Sequence, residues 1–288
     1  MNKLPKPAFN DQAAFEDLAN NDNLNCYPHL MGLISSVKTN YFVYELVDGN
    51  PFHIFKQAIP GNISDIFEHY YKNPNKDLKH IKELRRSKEH LTCPMCGSKH
   101  RGTLDHYLPQ SSYPIFCLYS KNLVPACKCN SLRNDKLMGT SPGERVLHPY
   151  FDNCLSQRLV KAKFEDIGEV PRIVVELSVD ETHPEYSAIK YHFENIVKKT
   201  AVVGYLGNLW SKLCQKPSLV IREFRHNITD RNQLRQILLE ERGIVDELHD
   251  GKNNWDSIFI SGLLDPEAID WLVTQFSDAA RAPDGPLA

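Results

Sequence analysis

The chain has 288 residues, 41% of them apolar and 24% charged, with a formal net charge of −2. It is long enough for one large domain or two to three small ones around a real core. That balance argues against a protein that coats nucleic acid over its whole surface. With no run of about eighteen apolar residues, a membrane-spanning helix is excluded.

Residues 11 to 90 read as mostly helical, broken around Asn21–Asn25, Asp48-Gly49-Asn50-Pro51, Pro60-Gly61 and the Asn73–Asn75 stretch with its proline. A helix from about Lys76 to His90, with Leu78, Ile81 and Leu84 as its buried stripe, leads into Cys93. Next come two predicted short strands, Arg101–Leu108 and Ile115–Tyr119, and a short helix over Lys128–Leu137. After Pro142-Gly143 the alternation of Arg172–Val179 predicts a strand, paired with Lys161–Phe164. Helical periodicity dominates from Pro184. Its stripes are Ile189, Phe193, Ile196 and Val197, then Leu234, Ile237, Leu238 and Ile244. Asp265-Pro266-Glu267 starts a last helix. The tail from Ala279 is expected to be disordered. The predicted class is mainly α with a small α+β insert, divided as 1–90, 91–152, 153–278 and a tail at 279–288.

MNKLPKPAFNDQ lacks the apolar core of a signal peptide, so the chain is expected in the cytoplasm. There the eight cysteines do not make a disulfide framework. Cys26, Cys117, Cys154 and Cys214 are scattered and read as small buried hydrophobes. Cys93, Cys96, Cys127 and Cys129 cluster instead. Cys93-Pro-Met-Cys96-Gly97 has the spacing of a zinc knuckle, and a second pair would complete a tetrahedral structural Zn2+ site with no position open to water. Residues two apart on a straight strand share a face but do not reach one tetrahedral ion easily. Either the chain bends at Lys128, or His100 or Cys117 replaces one of these sulfurs.

Between the cysteine pairs lie Asp105 and His106, followed by Asn122, Asn130 and Asn134. A histidine is neutral and able to accept a proton near neutral pH. Asp105 suits a hard catalytic ion, Mg2+ or Mn2+, and Asn130 and Asn134 are candidate neutral oxygens for it. From Lys72 to Arg101, nine basic residues stand against three acidic ones, a local charge of +6. Arg85, Arg86, Lys99 and Arg101 from this stretch, and Arg133 and Lys136 from the short helix, are candidate nucleic-acid contacts, with a solvated helix face as the alternative.

The ordered set Cys93-x-x-Cys96, Leu104-Asp105-His106-Tyr-Leu-Pro, Asn122-Leu123, Cys127-x-Cys129 and Asn130 resembles the HNH endonucleases. Leu147-His148-Pro149-Tyr150-Phe151-Asp152 fits a bacterial subgroup of them, found beside ATPases in Septu-type anti-phage defence operons. The likeness spans about Cys93 to Asp152. It implies a zinc-stapled ββα-metal core with Asp105, His106, Asn122 and Asn130 as catalytic residues, Asn122 pinning the hairpin. It also implies a DNA substrate and an ATPase partner docked on the flanking helices. One residue between Cys127 and Cys129 departs from the two more usual in the family. RNA, for instance a tRNA, is the alternative substrate, and a non-catalytic zinc module binding nucleic acid or protein is the alternative function.

Overall fold

The computed structural model describes residues 1–86, 92–100, 102–133 and 136–287. It is about half helical, with two small two-stranded sheets. The N-terminal helices are α1 (Asp11–Asn20), α2 (Ile34–Leu46), α3 (Gly61–Lys72) and α4 (Lys79–Arg86). Their breaks follow the turn residues expected. Asn10 caps α1 by accepting from Ala13 N, and Pro60 precedes α3. Residues 87–90 of the helix predicted to end at His90 lie outside the described residues.

The first sheet pairs β1 (Thr103–His106) with β2 (Leu123–Ala126), antiparallel, with His106 opposite Leu123 and Asp105 opposite Val124. This corrects the second predicted strand. Residues 115–119 belong instead to a run of tight turns, with 3-10 segments at Pro114–Phe116 and Ser120–Asn122. Ile115 to Tyr119 are all buried, and a short apolar run buried on every side carries no strand periodicity. Pro114 lacks an N–H and favours a turn start. Ser120 then donates from both N and Oγ to the buried carboxylate of Asp11. Tyr41 and Tyr44 of α2 pack on this run, Tyr41 stacking on Tyr119 at 4.1 Å between centroids and Tyr44 lying 5.1 Å from Phe116. One helical turn, α5 (Cys129–Leu132), follows β2.

The second sheet pairs β3 (Val160–Glu165) with β4 (Arg172–Leu177). Helices α6 (Tyr186–Asn195), α7 (Val202–Gln215), α8 (Arg231–Leu248), α9 (Trp255–Leu263) and α10 (Pro266–Phe276) complete the chain. Most of the expected stripes are buried, but Ile244 is 59% exposed. Its seat near the end of α8 falls off the face carrying Leu234, Leu238 and Val245. The tail is also corrected. Asp284 accepts from Ser218 N and Oγ, Leu287 N donates to Cys214 O, and the Leu287 side chain is buried. These bonds, with Arg281 also bonded to Asn227, and the buried Leu287 hold a segment that composition alone reads as loose.

The first residues run along the site as well, with Asn2 N donating to Pro94 O and Leu4 N to Pro149 O. On the far side α9 lies directly on β3, because Gly262 has no side chain. A Cβ there would meet Ala162 O and the Phe164 ring, both at 2.7 Å. Gly262→Ala should therefore cost about 1–3 kcal/mol through overpacking, read as a lower denaturant midpoint with unchanged slope. An unchanged midpoint would mean that the helix can lift off the sheet without loss.

Candidate active site and cysteine cluster

Cys93, Cys96, Cys127 and Cys129 bring four sulfurs within 4.8 Å of one another, and this cluster can hold a metal ion. The chain does bend at Lys128, which takes up αR backbone between the end of β2 and the start of α5. Cys127 and Cys129 thereby turn inward together, and neither His100 nor Cys117 enters the set. Sγ–Sγ separations are 3.6 Å for Cys93 and Cys129 and 3.5 Å for Cys96 and Cys127. Tetrahedral coordination with bonds of about 2.3 Å would space sulfurs about 3.8 Å apart, so the set fits such an ion with little movement. Backbone N–H groups already point at two of these sulfurs, Cys127 N at Cys93 Sγ and Cys129 N at Cys127 Sγ, both 3.3 Å. Sulfur hydrogen bonds from its neighbours hold the Cys127 thiol well below the usual range.

The knuckle is clasped from outside. Trp255 of α9 donates from Nε1 to Cys96 O and from N to Gly97 O. His192 of α6 bridges Met95 O and Leu147 N. Gly97 sits at φ +81, and a Cβ there would strike Asn253 O at 2.0 Å.

Asp105 and His106 end β1. Adjacent strand residues point to opposite faces, yet Asp105 and His106 both line the same two clefts. One, of about 570 Å³, is walled by Tyr71, Leu84, Arg85 and residues 102 to 104. The other, of about 380 Å³, is walled by Pro109, Gln110, Ser111, Asn130, Ser131 and Arg133. The convergence comes from Asp105 folding along the chain, so that its Oδ1 accepts from His106 N at 2.7 Å. Its Oδ2 accepts from Asn130 Nδ2 at 2.8 Å.

His106 is 7% exposed. Its Nε2 lies 2.9 Å from Cys117 O. A carbonyl only accepts, so Nε2 carries the hydrogen and Nδ1 keeps its lone pair. Nδ1 has no hydrogen-bond partner among the described residues. Burial lowers the His106 pKa, against the opposing effects of the Cys117 carbonyl and of Asp105. The Tyr71 ring covers the imidazole at 4.4 Å, with Tyr71 itself fixed by donating to Leu104 O at 2.6 Å.

The other expected residues fall into different places. Asn122 is fully buried away from the clefts. Its Oδ1 accepts from Leu108 N at 2.7 Å, and its Nδ2 donates to Leu108 O and Phe116 O. It pins the loop that joins the two strands and touches no open surface, which does not suit a catalytic residue. Arg85 lines the larger cleft, 4.7 Å from the Tyr71 ring. Arg86 is exposed at the end of α4, and Lys136 is exposed beyond α5. Lys99 does not face the clefts but pairs with Asp256 of α9 at 2.7 Å. Arg133 is buried, with Nη2 donating to Tyr107 O and His106 O. It clamps the backbone rather than standing free for phosphate. Arg101 and Asn134 lie outside the described residues.

The donor set fits a hard divalent ion only in part. Asp105 offers a carboxylate, but Asn130 turns its amide nitrogen, not its oxygen, toward it.

His148 packs as a core residue. Its Nδ1 accepts from Tyr150 N and its Nε2 meets the Tyr44 hydroxyl at 2.9 Å. Asp152 accepts from His148 N and pairs bidentately with Arg145 at 2.6 Å. Tyr71, His192 and Asp11 were not singled out from the sequence. His192 falls three residues after Ile189 on the buried stripe of α6, so a polar residue inside an apolar stripe was the available signal.

No family model matches the chain, and no solved structure matches it. Over 216 residues it is 22% identical to protein ea31 of Escherichia phage lambda, a likeness covering 71% of this chain and 72% of that protein.

Burial lowers the pKa of His148 and, to about 4, that of His192. Both are held neutral in the fold, whereas the unfolded chain takes up their protons near pH 6.5. Stability should be complete above about pH 6.5 and decline as the pH falls toward 4, with His192 alone contributing about 3 kcal/mol of that loss. Urea midpoints at pH 7.5 and 4.5 check this, and equal midpoints would contradict it.

Proposed function

We propose that the chain is a zinc-stapled HNH endonuclease that hydrolyses phosphodiester bonds of DNA, with Asp105 and His106 at the reacting phosphate. One observation carries this reading: Asp105 and His106 line the same two clefts, and His106 Nδ1, with Nε2 committed to Cys117 O, has no hydrogen-bond partner among the described residues. The hairpin β1–β2 followed by α5, stapled by the sulfur cluster, agrees with the ββα core that the sequence resemblance implies.

On this reading zinc occupies the four thiolates and stays out of the chemistry, since four protein ligands leave no position for water. Its work is to hold β2 and α5 against the knuckle. His106 accepts a proton from the attacking water at Nδ1, while Cys117 O fixes the ring through Nε2. Burial keeps the ring neutral and ready for that step. The Tyr71 ring packs beside the imidazole at 4.4 Å, tilted 55° to it. A hard divalent cation held at Asp105 would supply positive charge to the phosphate and the leaving oxygen. Arg85, on the wall of the larger cleft, adds positive charge on the same side.

His106→Ala should reduce cleavage of plasmid DNA about 100-fold or more while leaving metal content and melting temperature near those of the wild type. Activity retained in that variant would remove the base assignment. Labelled RNA in the same assay decides the substrate, and RNA cleavage without DNA cleavage would replace DNA in this reading.

Zinc is tested separately. Cys129→Ser should release the bound zinc and lower the melting temperature by about 10 °C or more. Elemental analysis finding no zinc in the wild-type chain would refute the staple.

A further inference from the structure

Asn130 sits among groups whose hydrogen-bonding sense is fixed by their chemistry. Asp105 Oδ2 and His106 O only accept, and they lie 2.8 and 3.0 Å from Asn130 Nδ2. Arg133 Nε only donates, and it lies 2.9 Å from Asn130 Oδ1. A half-turn of the carboxamide would set its oxygen against two acceptors and its NH2 against a donor, so that three attractive contacts become repulsive. Asn130 is 6% exposed, which leaves little room for water to repair such a flip.

Arg133 is held just as firmly. It is 1% exposed, and its Nη2 donates to Tyr107 O at 2.5 Å and to His106 O at 3.3 Å. Those carbonyls are at the last residue of β1 and at the residue just after it, next to Asp105 and His106. The guanidinium therefore reads the position of the strand end and passes it to the amide, three residues earlier on its own turn.

We propose that Arg133 is a positioning residue that locks Asn130 as a hydrogen-bond donor to Asp105. Asn130 then offers no oxygen to a divalent cation, contrary to the neutral-oxygen role its residue type suggests. Asp105 is the carboxylate the described site presents, and a hard cation there would complete its shell with water and phosphate oxygens, as Mg2+ readily does with one carboxylate. The donated hydrogen bond does a second thing: it holds Asp105 Oδ2 toward α5 while His106 N holds Oδ1, so the carboxylate plane is set by two donors. The place of this arrangement at a reacting phosphate rests on the nuclease reading, but the arrangement itself does not.

Side-chain amide hydrogen exchange of Asn130, read by 15N NMR on the full zinc-loaded chain, tests the lock directly. Both Asn130 amide protons should be protected in the wild type, and should remain so when Mg2+ is added. Arg133→Met should raise their exchange about tenfold or more, because the fixed oxygen partner is gone. Asp105→Ala, at a half-buried position, serves if Arg133→Met does not fold. It should free one amide proton by a similar factor and leave the other, held by His106 O, unmoved. Exchange that accelerates on adding Mg2+ would mean that the amide turns to give the cation its oxygen, and would overturn the proposal, as would unprotected protons in the wild type. If the wild-type chain cuts neither DNA nor RNA, the nuclease reading falls, while the exchange pattern still decides the lock.

Discussion

Four sulfurs from two distant stretches of chain meet within a few ångströms, and most of the site's geometry follows from that meeting. Strands of four residues and a helix of one turn do not persist in water on their own. Here β2 ends one residue before Cys127 and α5 begins at Cys129, so closing the cluster sets the angle between them. That angle places Asn130 over Asp105 and Arg133 against the end of β1. The knuckle is itself fastened by Trp255 and His192, so helices far along the chain bear on the same point.

Around Asp105 and His106, acceptor-only groups do the deciding. Cys117 O settles which nitrogen of His106 carries hydrogen, and Asp105 with His106 O settles which way Asn130 faces. A buried polar group left without its partner costs about 1–3 kcal/mol. Each of these choices is therefore stiff. The Asp105 and His106 side chains, on residues that line both clefts, are each held by hydrogen bonds and are not free to wander.

Much of this was legible in the residues. The helices before Cys93 were marked by their turn residues, and the cysteine set by its density. The Asp-His step lies on β1, within the first predicted strand, which ends at His106 rather than Leu108. What stayed hidden had physical causes. Pro125 disguised β2, because proline cannot donate to a ladder and is tolerated here only on an edge strand. Ile115–Tyr119 imitated a strand because burial on all sides erases alternation. Arg133 read as a phosphate contact because a basic residue on a short helix looks the same whether it faces solvent or a backbone carbonyl. Lys99 read the same way and instead pairs with Asp256, more than 150 residues away in sequence, a contact no local pattern encodes. The packed tail depends on Asp284 finding Ser218, which is likewise beyond local reading.

X-ray absorption at the zinc edge of the purified chain tests the central constraint most directly. The account predicts one zinc environment of four sulfurs at about 2.3 Å. A shell mixing sulfur with nitrogen or oxygen, or a chain that folds and works without zinc, would contradict it.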